Sequence, residues 1–481
     1  MKWQVVIDSP STGGFAPGYY KESYPTFGNK NNAAIMTNID MTNPGFFQQG
    51  SALSAYSISG GGGIVTLLKG IVEYPDGVNS YAVGGNEIEQ FTTSSVIAAH
   101  TISDAGSEMG EDVCIYDDYV YYSFNESGQG QIGRCAAGGL SCTDTWWTGT
   151  GATALASGVP HQLVAGGDDI LYCANGRDIA SWDSETSTAQ DKALLSRLPV
   201  DSVILSMAWM SDRLWVLATR PNNTIQKDQL SIYIWDGTTD SWETEIKFSG
   251  IGGALHVKNG VLYLWYQDLA STSDYKIAYI SGSSIVDLVN YSGGLPMYYQ
   301  ITDYKGFILF VAGQTIMAYG AGDIGSPVRL FQIATARYTT PGGLACPFGI
   351  PLIASNQSSS YAFDLFNALT TTSTWKSITF DVAGMTKVPA TLQTMRVNFN
   401  KLTSGASVGI KLVNNQGVTL YSDTISYAKA TATIPAHTLT SAFFPLNSGI
   451  VCENLRVELD YSTGSTSASV QIKKITISGT N

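Results

Sequence analysis

Short apolar strings separated by turn-forming residues recur along most of this 481-residue chain, and their spacing predicts an architecture. One unit is a turn followed by an apolar or aromatic strand: Asp118-Tyr119-Val120-Tyr121-Tyr122, Asp169-Ile170-Leu171-Tyr172, Arg213-Leu214-Trp215-Val216, Gly260-Val261-Leu262-Tyr263 and Gly306-Phe307-Ile308-Leu309. Weaker copies stand at 80–83 and 349–353. A second unit follows each copy, a short strand that carries Ile in a fixed setting and usually ends in an aromatic. Its copies centre on Ile88, Ile132, Ile179, Ile232, Ile277, Ile316 and Tyr361, in steps of 44, 47, 53, 45, 39 and 45 residues. A unit of about 45 residues with paired strands and turns has the length of a four-stranded propeller blade. One such sheet cannot bury both faces, so copies pack side by side and close into a ring. Helical repeats would show apolar spacing near 3.6, which Leu214-Trp215-Val216-Leu217 between turns does not. A row of stacked sandwiches is the competing arrangement. The pattern predicts an all-β chain whose body is a six- or seven-bladed β-propeller.

Two breaks flank that body. Residues 1–60 mix aromatics with Pro and Gly, as in Phe15-Ala16-Pro17-Gly18-Tyr19-Tyr20, without strand periodicity. Such a segment has no core of its own, so it is expected as an extended arm lying on the propeller or on a neighbouring subunit. Ser59-Gly60-Gly61-Gly62-Gly63 forms a joint, and the propeller is expected over 61–370. After Thr370-Thr371-Thr372-Ser373-Thr374, period-two alternation takes over. It runs through Ile378, Phe380 and Val382, then Met395, Val397 and Phe399, then Val408, Ile410 and Leu412. It continues in Leu455, Val457 and Leu459, and in Val470, Ile472, Ile475 and Ile477. Each set puts one strand face on a core and the other in water. With a hairpin turn at Asn414-Asn415-Gln416-Gly417, residues 371–481 are expected as a jelly-roll-like β-sandwich.

Composition narrows the partners. Charged residues are only 14%, against about 25% in ordinary domains, so Ser, Thr, Asn, Gln and Gly must cover the surface. The net charge is -13 with 26 Lys and Arg scattered along the chain, which argues against phosphate gripping and sequence-specific nucleic-acid binding. An acidic wall that DNA passes without sticking fits the same balance. No apolar stretch reaches the roughly 20 residues of a membrane span, and the opening run Val5-Val6-Ile7 is too short for a secretion signal. The chain is expected to be made in a cytoplasm.

The search for chemistry yields no catalytic, cofactor or metal residues. Cys114, Cys135, Cys142, Cys173, Cys346 and Cys452 lack close CxxC spacing. Cys135 and Cys142 are near enough to bridge, although buried free thiols are the ordinary reading. His100, His161, His256 and His437 form no metal-spaced pair, and His256 sits in a strand-like run as a core or edge histidine. Asp117-Asp118 and Asp168-Asp169 are acid pairs of the kind a glycosidase places across a cleft, but each precedes a strand, where Asp makes turns. Asp236-Gly237-Thr238-Thr239-Asp240-Ser241-Trp242 resembles the corner brace of a kelch blade or an Asp-box, and the match is seen once. Trp146-Trp147, Trp265-Tyr266, Tyr298-Tyr299 and Tyr338 are the aromatics that would stack on sugars if exposed; blade core is the commoner use.

Several stretches carry a resemblance. Gly14-Phe15-Ala16-Pro17-Gly18-Tyr19, Tyr24-Pro25-Thr26-Phe27-Gly28-Asn29 and Ile39-Asp40-Met41-Thr42-Asn43-Pro44 look like the opening of tailed-bacteriophage virion structural proteins. Gly110-Glu111-Asp112-Val113 with Tyr119-Val120-Tyr121-Tyr122-Ser123 is similar to a blade of that group, and Trp375 through Phe380 with Val397-Asn398-Phe399 and Ser404-Gly405-Ala406-Ser407-Val408 resembles sandwich modules of phage tail proteins. The resemblance implies a non-enzymatic tail component that forms a homo-oligomeric ring with other virion proteins around the DNA exit path, as a nozzle or tail-tip hub. The sandwich would then face tail fibres or the host surface. The chain lacks the long platform inserted between blades of short-tailed nozzles. A receptor- or glycan-binding attachment protein is the alternative, and a glycan-cleaving propeller the third reading.

Overall fold

A computed structural model describes residues 2–8, 33–37, 39–40, 48–49, 51–55, 57–58, 66–102, 108–136, 138–220, 229–269, 274–320, 328–332, 340–357, 360–369, 372–377, 380–381, 389–400, 402, 404–427, 440–446, 449–463 and 470–480. The aromatic motifs at 14–19 and 24–29, the stretch 41–44, the glycine run 60–63, and Tyr338, Ile378, Val382 and His437 lie outside the described residues. The fold is all-β and propeller-like, with one short helix, Trp146–Gly149, among the described residues.

Seven sheets follow one another along the chain, each with four antiparallel strands, and the first carries a fifth, parallel strand at its outer edge. Their first strands are Gly70–Glu73, Met109–Tyr116, Leu163–Ala165, Val203–Met210, Ile251–Lys258, Ile301–Tyr304 and Thr340–Ala345. Each first strand lies against that of the next sheet, and the seventh lies against the first, so the series closes. The first-to-second strand hairpins turn on residues with positive φ: Asp117 and Asp118, Ser211 and Asp212, Asn259 and Gly260, Lys305 and Gly306. Two consecutive left-handed residues match the right-handed twist of the strands they join, which is why Asp and Gly recur at these places.

The recurring Ile is the seam residue. Ile88, Ile132, Ile179, Ile232, Ile277 and Ile316 are at most 1% exposed, and each belongs to the apolar cluster shared with the following sheet. Tyr361 packs on the cluster that joins sheet seven to sheet one. Every seam thus has its own apolar cluster, and each sheet buries both faces only because it has two neighbours.

Besides a two-stranded pairing of Ile39–Asp40 with Gln48–Gln49, two larger sheets stand apart from the series among the described residues. One joins Lys2–Asp8, Ile472–Thr480, Ala390–Phe399 and Ser441–Pro445, with Val451–Cys452 also on Ala390–Phe399. The other joins Ala33–Thr37, Thr372–Ser377, Asn454–Thr463, Ala406–Val413 and Thr419–Ser426, with Phe380–Asp381 on Asn454–Thr463. Met395, Val397, Val408, Ile410, Leu412, Leu455, Val457, Leu459, Ile475 and Ile477 meet in one core between them. The same cluster continues to Phe307, Leu309, Leu344 and Phe366 at the seam of sheets six and seven, so the two units share apolar packing.

The described parts of the expected arm are strand. Lys2–Asp8 pairs along its length with 474–480, and Ala33–Thr37 pairs with Thr374 through Ser377. Ser51–Ala55 is the fourth strand of sheet seven, and Ser57–Ile58 runs parallel to the outer strand of sheet one. The segment 51–58 therefore straddles the seam where the series closes.

Candidate functional site

The inner edges of the first strands face the axis of the series, where unpaired backbone groups need partners. A polar side chain from one sheet repeatedly supplies a partner for the next. Lys69 Nζ donates to Glu111 Oε1 at 2.8 Å, and Asp112 Oδ2 accepts from the Leu163 amide at 2.9 Å. Gln162 accepts from the Met207 amide at 2.6 Å and donates to its carbonyl at 3.0 Å. Ser206 Oγ accepts from the Leu255 amide at 3.1 Å, and Gln300 Nε2 donates to the carbonyls of Pro341 at 3.1 Å and Gly342 at 3.3 Å. The partners are 42, 51, 45, 49 and 41 residues apart, one repeat each time. Bulges beside several of these positions, between Gly110 and Asp112 and between Ile204 and Ser206, turn the side chain toward the neighbouring sheet.

One further tie at the hub joins sheets that are not neighbours. The single-turn segment Tyr298–Gln300 precedes sheet six, and the Tyr298 hydroxyl donates to the Glu111 carbonyl at 3.2 Å, 187 residues away. Tyr298 is buried, and burial together with nearby Asp112 and Glu111 pushes its phenol far above the ordinary value. Asp112 is 8% exposed, and burial raises its carboxyl to about 7 against the pull of the Leu163 and Val113 amides. Asn125 holds the Val159 carbonyl at 3.0 Å and the Gly158 amide at 2.9 Å. His161, fully buried, sets Nδ1 2.8 Å from the Ala174 carbonyl and Nε2 2.9 Å from that of Ala156. Burial lowers its pKa while the two carbonyls oppose the shift. A Cβ on Gly130 would sit 2.2 Å from His161 Nε2, so glycine is required there.

The hub carboxylates Glu111 and Asp112 are therefore bonded to an ammonium and to backbone amides, in positions that hold sheets together. Among the described residues no group of three His, Cys, Asp or Glu side chains is placed to hold a metal ion. His100 and His256 each bond an aspartate of the next sheet, Asp144 at 2.9 Å and Asp303 at 3.1 Å. Asp117, Asp118 and Asp169 adopt positive φ, as turn residues do, and Asp168 accepts from the Tyr172 hydroxyl at 2.5 Å.

The Asp236 loop closes a turn: Asp236 Oδ1 accepts from the Thr238 and Thr239 amides at 2.9 and 2.8 Å, which lowers its carboxyl to about 2. The same device occurs a second time, at Trp182-Asp183, where Asp183 Oδ1 accepts from the Glu185 amide at 2.9 Å and the Thr186 amide at 3.2 Å. The sequence concealed it because Ser184-Glu185-Thr186 replaces Gly237-Thr238-Thr239. Trp146, Trp147, Trp265, Tyr266 and Tyr298 are buried, and Tyr299 is half-buried. Cys135 and Cys142 form a disulfide across the third and fourth strands of sheet two, where free thiols were the ordinary expectation; their register places the two side by side. Cys114, Cys173, Cys346 and Cys452 are free.

No family model matches the chain, and no curated protein matches it. Among solved structures, the N-terminal domain of Nup159 is similar at 13% identity, with 63% of this chain and 90% of that one covered and a TM-score of 0.38. A putative oxidoreductase (glucose dehydrogenase) from Thermus thermophilus is similar at 12% identity, covering 66% and 99%, with a TM-score of 0.37. Likenesses of this size carry no argument about activity.

Proposed function

We propose that the chain is a non-enzymatic structural protein of a bacteriophage tail, in which the seven sheets are the blades of a closed propeller and the last two sheets form a β-sandwich. The observation that carries this reading is the use of the polar groups at the hub: Lys69, Asp112, Gln162, Ser206 and Gln300 each bind the next sheet, and the Tyr298 hydroxyl ties sheet six to the Glu111 carbonyl of sheet two. A site for catalysis needs groups held free to meet a substrate, whereas these are committed to rigidity. The net charge of -13 suits a wall along which DNA slides, in a ring of several copies joined to other tail proteins. Electron microscopy of the purified protein, with antibody labelling of intact particles, tests the proposal. Rings and tail-bound label are expected; a protein that stays monomeric and is missing from particles refutes it.

Attachment to the host surface is the second reading, with the sandwich as the binding unit. It is favoured by an exposed Phe443 beside an exposed Arg396 on one sheet. A glycan-cleaving propeller would need a free acid pair at the axis, and Glu111 and Asp112 are bonded as described.

A further inference from the structure

We infer that the outward face of the sheet built on Ala390–Phe399 binds a carboxylated saccharide, with Phe443 as its stacking platform and Arg396 as the holder of its carboxylate. The inference deepens the attachment reading and does not depend on ring assembly. Met395, Val397, Ile475 and Ile477 point into the core, so the alternate positions Thr394, Arg396, Thr476 and Ser478 face away from it. Arg396 stands directly opposite Phe443 on one side and Thr476 on the other. Asn398 stands opposite Ser441, and Thr394 bonds Ser478 through their hydroxyls.

Three features of this face call for a ligand of that class. Phe443 is 64% exposed, and every other aromatic whose burial is described is buried or half-buried. Arg396 is exposed without a hydrogen-bond or ion-pair partner among the described residues, on a chain of net charge -13 where cations are scarce. Asn398 is half-buried on the same face, opposite Ser441, at the border of the Arg396 and Phe443 pair.

The spacing fits a sugar. Directly opposed residues have Cβ atoms about 5 Å apart, close to the width of one pyranose ring. A ring lying on Phe443 would thus bring its carboxylate within reach of the guanidinium, which can grip it with two parallel hydrogen bonds. Hydroxyls of the neighbouring Thr and Ser and the Asn398 amide supply partners for sugar hydroxyls. A nucleic acid would require many more cations, and a protein partner of ordinary affinity would require an apolar patch broader than one ring.

Titration calorimetry on the full chain tests this with sialyllactose, a hyaluronan tetrasaccharide and neutral lactose. One or both acidic sugars are expected to bind about tenfold tighter than lactose, and binding should weaken with added salt. Phe443→Ala and Arg396→Gln are each expected to weaken it about tenfold, with unchanged melting temperature, while Arg396→Lys retains part of the affinity. Failure of both acidic sugars to bind overturns the inference. So does lactose binding as tightly as its sialylated form, or affinity that neither variant alters. Ring formation measured on the same samples reports on the scaffold reading separately.

Discussion

Glu89 offers a substitution expected to stabilise the protein. It lies in the strand Glu87–Phe91, is 1% exposed, and its Oε2 has no hydrogen-bond partner. Burial, reinforced by the charge of Glu87, pushes its carboxyl from the ordinary 4.5 to about 7. The folded chain therefore holds this proton more tightly than the unfolded chain does. The associated stability is fully present below 4.5 and is lost as pH rises through about 7. At about 1.4 kcal/mol per decade the full loss would be roughly 3 kcal/mol; the glutamine amide put in its place is itself a buried polar group, which reduces the gain on substitution to about 1–2 kcal/mol. Glu89→Gln keeps the shape and removes the charge. Urea unfolding of wild type and variant should show the variant more stable by about 1–2 kcal/mol near pH 8, with the gap closing near pH 4. Asp112 titrates over the same range but is common to both proteins and drops out of the difference. A variant that is less stable near pH 8, or a gap that does not change with pH, would refute the reasoning.

Four other outcomes follow from the same packing. Ser206→Ala leaves the buried Leu255 amide unpaired and should cost about 1–2 kcal/mol in chemical denaturation, against no loss if the bond is incidental. Ile232→Ala opens a void in the seam of sheets four and five and should cost about 2–5 kcal/mol in the same assay. Reducing Cys135–Cys142 should lower stability by about 2–3 kcal/mol, and the double Cys→Ser variant should melt identically with and without reductant. Deleting residues 1–58 removes a strand from both terminal sheets and from sheet seven; circular dichroism should show the cooperative melt broadened or lost, and a melt like that of the intact chain would contradict the pairing.

The repeat was legible because burial at the seams imposes one residue type: the space between adjacent sheets accepts Ile at the same point in each copy, from Ile88 to Ile316. The alternation from Met395 to Ile477 was legible for the same reason. The hub ties were not. Lys69, Asp112, Gln162, Ser206 and Gln300 share a position but no chemistry, since any side chain that reaches a polar group of the next sheet serves, so no motif marks them. The strands at 2–8 and 33–37 escaped notice because their partners are hundreds of residues away and local pattern carries no record of them. Phe443 stood out in no pattern, because a strand residue's exposure is settled by which neighbours cover its face.

The pairing of Lys2–Asp8 with 474–480 sets an order of events during synthesis. Lys2–Asp8 has its mate more than 460 residues further along, so at about 5–20 residues per second it waits roughly half a minute to a minute and a half with its edge bare. Ser51–Ala55, whose partner lies about 310 residues further along, faces about two thirds of that delay, whereas Ser57–Ile58 finds its partner 38 residues on. Through that interval a cell producing the chain has to shield the bare strand from sticking to other edges until its mate arrives.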